Sequence, residues 1–142
     1  ATMTGNVAQV FVTDDEFAAT LRAISTALRP GGRLVFETRD PAAEAWREWN
    51  REGSYLQCEI ADVGRLETWE DLVDVNLPLV TFRSTIRFGS TGETTVAHST
   101  LRFRTKDEIA GLLQDAAFTV EDVRDAPDRP GREFVFIARR AT

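Results

Sequence analysis

Apolar residues recur at steps of three and four near both ends of the chain and at steps of two in its middle, and this change of period sets out the elements. Phe17, Leu21, Ile24 and Leu28 fall on one stripe, which predicts an amphipathic helix over 14–28 able to pack on a sheet. Thr13 and Glu16 stand at the spacing of a capping box, where hydroxyl and carboxylate each satisfy an orphan N–H at the helix start. Pro30 stops the helix, and Gly31 and Gly32 tolerate the turn that leads into "RLVFET". The apolar centre of that segment, Leu34, Val35 and Phe36, shows no polar alternation, as expected of an interior strand covered by helices on both faces. Asp40 and Pro41 then supply a cap and a first-turn proline for a second helix, "PAAEAWREWNRE", with Ala42, Ala45, Trp46 and Trp49 on one side.

From about residue 54 to 104 the period is two. In "LVTFRSTIRF", Val80, Phe82, Ile86 and Phe88 face one way and Thr81, Arg83, Thr85 and Arg87 the other, the mark of a half-exposed antiparallel strand. After the turn "GSTGE", "TTVAHSTLRFR" completes a hairpin, with Leu101 and Phe103 opposite His98, Arg102 and Arg104. "SYLQCEIAD" also alternates, while "RLETWEDLVDV" reads as a strand although Leu66, Trp69, Leu72 and Val73 fit helical spacing too. Thr105 and Glu108 repeat the capping box before a helix with Ile109, Leu112, Leu113 and Ala116 on its apolar side, slightly weakened by Gly111. The remainder reads as strand, Pro/Gly-rich loop and strand. The order is helix, β, helix, β-meander, helix, β, β, in an α/β chain of one domain.

Composition narrows the field. The 142 residues are 42% hydrophobic and 28% charged, ordinary for one soluble domain, and the formal net charge of −6 argues against nucleic acid or an anionic membrane as partner. Cys58, the only cysteine, allows neither an intrachain disulfide nor a thiolate metal cluster, and the scattered His and carboxylates show no ligand spacing. No apolar run approaches the roughly 20 residues of a membrane span, and the N-terminus has no signal-peptide pattern. These features point to a cytoplasmic protein with small-molecule or protein partners.

The stretch "MTGNVAQVF…TDDEFAATLRAISTALRPGGRLVFETRDP", followed by a late helix and a final two-strand hairpin, resembles the C-terminal half of class I S-adenosylmethionine-dependent methyltransferases. In that family the fourth strand ends in a short loop, a helix follows, and an "LrPGG" turn leads into the fifth strand. The resemblance implies a partial Rossmann-like sheet over 1–40 and 105–142, with 41–104 as a helix and antiparallel β insertion near the substrate. It also implies S-adenosylmethionine as cofactor, faced by Thr4, Gly5 and Asn6 in the loop after the fourth strand; read without it, "TGN" is an ordinary turn. The family's glycine-rich loop and its ribose-binding acidic residue have no counterpart in this sequence. A fragment without the full cofactor site, inactive alone, is the expectation.

Methyl transfer from a sulfonium needs proximity, orientation and a dry pocket more than acid or base. Arg39, just past the carboxyl end of the apolar strand, is placed to hold a substrate carboxylate or phosphate, or to form a surface salt bridge. Trp46 and Trp49 wall a substrate pocket or pack against the insertion. His98 is the one side chain with an ordinary pKa near neutrality, hence the one obvious general base, although a solvated role suits its setting better. Cys58 reads as a buried strand residue, and Arg83, Arg87, Arg102 and Arg104 as a solvated face. Two classes of function follow: the C-terminal portion of a small-molecule methyltransferase, or a noncatalytic binding or dimerisation module derived from that fold, pairing through an open sheet edge or strand exchange.

Overall fold

The computed structural model describes residues 1–141, which form two compact units, 1–44 with 101–141 and 45–100. In the first, α1 (Asp14–Ala27) is closed at its start by the Thr13/Glu16 capping box, with Thr13 Oγ1 accepting from Glu16 N–H at 3.2 Å. The helix ends where Gly31, at φ 76°, turns the chain into β2 (Arg33–Arg39). A capping box at Thr105 likewise opens α3 (Lys106–Asp115), which leads to β7 (Phe118–Asp125) and β8 (Glu133–Arg140). With β1 (Thr2–Met3) these strands form a sheet in the order β1-β2-β8-β7. β1 runs parallel to β2, whereas β8 is antiparallel to both neighbours, so it alone opposes the common direction.

The core of this unit lies on one face of the sheet. Leu34 and Phe36 of β2, Phe136 and Ala138 of β8 and Phe118 of β7 meet Phe17 and Leu21 of α1 and Ile109 and Leu113 of α3, all nearly without exposure. The Phe36 and Phe136 rings stack at 5.3 Å. β2 is interior, as its sequence predicts, but α1 and α3 cover only this face. Its other face carries the half-buried Val35, paired directly with Ile137, and their mutual contact accounts for the unbroken apolar run.

The segment predicted as a second helix is broken. A 3₁₀ turn at Pro41–Ala43, started by Asp40 accepting from Ala42 N–H at 2.8 Å, ends at Glu44 in the left-handed region. Another follows at Ala45–Glu48, and Asn50 caps a single turn, α2 (Arg51–Ser54), by accepting from Gly53 N–H at 2.8 Å. The side chains of Asp40 and Asn50 each start a new turn, which divides the segment.

The second unit is a sheet in the order β3-β4-β5-β6, from β3 (Leu56–Ile60), β4 (Gly64–Asn76), β5 (Leu79–Phe88) and β6 (Thr94–Arg102). The ambiguous segment is thus a strand, bulged between Leu72 and Asp74. Cys58 lies opposite Leu66 but is exposed, contrary to the sequence expectation, because β3 is an edge strand of its sheet, exposed at every residue. The four arginines do not share a face. Arg83 and Arg87 pair with Asp71 and Glu67 in the sheet, whereas Arg102 and Arg104 turn to Asp14 at the start of α1, where Arg104 is buried.

Candidate functional site

Parallel strands deliver their following loops to one end of a sheet, and in the first unit that end gathers a polar network. The loop after β1 passes through Gly5 and Asn6, both left-handed at φ 73° and 56°. The Glu37 carboxylate, on β2, accepts the N–H groups of both, the second at 3.2 Å. Asn6 is buried and its Nδ2 donates to Glu133 Oε1 at 2.9 Å, the same oxygen that accepts from Arg129 Nη1 at 2.7 Å. Glu133 lies opposite Arg39 in the β2–β8 register. Arg39 Nη1 in turn donates to Gln9 Oε1 at 2.9 Å.

Part of this network borders a cleft of about 340 Å³ whose walls include Gly5, Asn6, Glu37, Asp128, Arg129 and Glu133. Burial draws the Arg39 guanidinium below its ordinary pKa, the Glu133 charge raises it and Arg129 lowers it. Arg129 is held above its ordinary value by the hydrogen bond to Glu133. Within this network two buried atoms find no hydrogen-bond partner among the described residues, the acceptor Asn6 Oδ1 and the donor Gln9 Nε2.

Of the residues singled out from sequence, Gly5 and Asn6 line this cleft, Thr4 precedes them in an exposed position, and Arg39 joins the network through Gln9 and the Glu133 charge. Trp46 and Trp49 belong to the second unit. There Trp46 is buried, and Trp49 packs on Phe82 at 4.8 Å while its carbonyl accepts from Leu72 N–H at 2.7 Å. His98 is exposed on β6. Sequence reasoning missed Glu37, Gln9, Arg129 and Glu133. The available signal was a carboxylate directly after the apolar centre of β2, toward its carboxyl end.

The sheet, with its one reversed strand between β2 and β7, has the fold of the C-terminal half of S-adenosylmethionine-dependent methyltransferases. A methyltransferase of that class from Clostridium acetobutylicum superposes with a TM-score of 0.73 at 12% identity, over 99% of this chain and 57% of its own. CcbJ from Streptomyces caelestis gives 0.73 at 18%, over 99% and 56%. S-adenosylmethionine-bound CalS10, an amino pentose methyltransferase from Micromonospora echinaspora, gives 0.63 at 18%, over 99% and 58%. The chain therefore spans a little over half the length of these proteins. No protein-family model matches it, nor does any curated protein sequence.

The cleft fits one part of that cofactor. Glu37, Asp128 and Glu133 against Arg129 suit a cationic group such as a sulfonium or ammonium. The Gly5 and Asn6 N–H groups are already engaged by Glu37, so they do not serve the methionyl carboxylate. The fit is to the positive side of the molecule.

Proposed function

We propose that this chain is the C-terminal portion of a small-molecule methyltransferase using S-adenosylmethionine, and that its cleft forms one wall of the transfer site. What supports the reading above all is the coincidence of the loop after β1 with the acidic cleft at the carboxyl ends of β1 and β2, on a sheet of methyltransferase order. In this reading Gly5, Asn6 and Glu37 face the cofactor, which when bound supplies an electrophilic methyl group. Thr4 flanks them. Arg39 orients an anionic group of the acceptor. The chain's own task is orientation and exclusion of water, so no proton-transfer residue is required of it. Calorimetric titration of S-adenosylmethionine into the chain tests this: weak but saturable binding is expected of this one wall, and no binding at millimolar concentration overturns the claim of a retained site.

Self-association is a second reading, favoured by one observation. On the second unit's sheet Leu56, Cys58, Ile60 and Ile86 are all exposed, Leu56 by 60%, on the face whose cross-strand rows are Leu56–Thr68–Ile86 and Cys58–Leu66–Phe88. Sedimentation velocity should give a dimer that Leu56→Asp dissociates, and a monomer at all concentrations would dismiss it.

A further inference from the structure

Successive N–H groups in a turn form a concavity that binds anions. Gly5 and Asn6 form such a concavity, and both N–H groups converge on a single oxygen, Glu37 Oε1. The anion that fills it comes from this chain, 32 and 31 residues further on. We propose that Glu37 is the positioning residue of the Thr4–Asn6 loop: a resident carboxylate that occupies a backbone anion nest, fixes the loop and keeps the carboxylate or phosphate of a ligand out of it.

Three observations carry this. A residue with a Cβ pays for a left-handed conformation, and Asn6 adopts it while held from two sides, its N–H by Glu37 and its Nδ2 by Glu133 at 2.9 Å. The pairing of Met3 with Phe36 sets the register of β1 on β2, so the residue after Phe36 lies beside the loop that leaves β1. Gly5 has open space where a Cβ would stand, so no side chain packs there and the loop's geometry is left to its hydrogen bonds. The consequence is selective. With its donors engaged, the loop presents carboxylates to the cleft and favours a cationic ligand group. Only this consequence for ligands rests on the proposed cofactor-facing role.

Proton–nitrogen correlation spectra of the whole chain test the assignment. The Gly5 and Asn6 amide resonances should lie downfield and move together as the Glu37 carboxyl is protonated, and in Glu37→Gln they should not move. Glu37→Ala should shift both upfield with the rest of the spectrum unchanged, and millimolar formate should restore them saturably in this variant but not in the natural protein. Amides that ignore pH in the natural protein, or that formate does not restore, overturn the proposal. Should Glu37→Ala not fold, the Glu37→Gln comparison still decides. In a second arm, affinity for S-adenosylhomocysteine should fall about tenfold in Glu37→Ala and recover with formate. If the natural chain binds no S-adenosylhomocysteine, the cofactor reading fails while the amide titration still judges Glu37.

Discussion

Replacing Asp14 by asparagine measures what it costs to leave a buried cation without its counter-charge. The two carboxylate oxygens of Asp14 accept from Arg104 Nε and Arg102 Nη2, both at 3.0 Å. Arg104 is 2% exposed, donates also to the Thr13 carbonyl at 3.0 Å, and sits 4.9 Å over the Phe17 ring. Burial lowers its pKa, and the hydrogen bond to Asp14 raises it again. Breaking a fully buried pair costs about 3–5 kcal/mol, but Asp14 is 52% exposed and water screens it, so about 2 kcal/mol is expected for Asp14→Asn. Arg104→Met removes the charge together with its desolvation penalty and keeps the apolar contact with Phe17, for about 1 kcal/mol. The double variant should then cost about 1.5 kcal/mol, half of the sum, a coupling of about 1.5 kcal/mol. Urea unfolding of the four proteins followed by far-ultraviolet circular dichroism gives these differences from the midpoints. Additivity to within about 0.5 kcal/mol would refute the argument that Asp14 acts by compensating Arg104.

Two glycines should respond in opposite senses. A Cβ on Gly111 in α3 meets nothing within 4 Å, so Gly111→Ala should raise stability by about 0.5–1 kcal/mol, whereas a Cβ on Gly32 falls 2.8 Å from the Arg29 carbonyl oxygen and Gly32→Ala should lower the thermal midpoint. The hydrogen bond from Arg33 holds the Glu121 carboxyl below its ordinary pKa. A carboxyl held down in the folded state stabilises above its unfolded-state value, and that contribution fades as pH falls through the folded-state one. Glu121→Gln should therefore lower the midpoint at neutral pH and converge on the natural protein in acid; a gap that widens in acid would contradict this. Cys58, being exposed, should react with a thiol reagent under native conditions at close to its rate in urea, and protection by orders of magnitude would place it under cover.

Legibility in the sequence followed the range of the interactions. α1, the Pro-Gly-Gly turn, β2 and α3 could be read because capping boxes and apolar stripes are written within a few residues, as were the alternating strands of the second unit. The division of the 41–54 segment was hidden because its composition suits a helix, while the Asn50 cap that interrupts it resembles any helical asparagine. The site was legible in its loop and not in its partners. Glu37 appears in the strand pattern as one polar residue, and its role exists only because the fold brings Gly5 and Asn6 beside it. Glu133 meets Asn6 across 127 positions, a separation that no local pattern encodes.

The reversed strand sets an order of assembly. β8 supplies every hydrogen-bonded neighbour that β2 and β7 have in common, and Leu34 meets Ala138 only after more than a hundred intervening residues have been made. On the ribosome, β2 and β7 therefore emerge as separate open-sided strands, and their pairing waits for a segment made after both. Until then, α1 and α3 have only a divided platform to settle on, so ordering of the first unit should be late and abrupt, and sensitive to anything that delays 133–140.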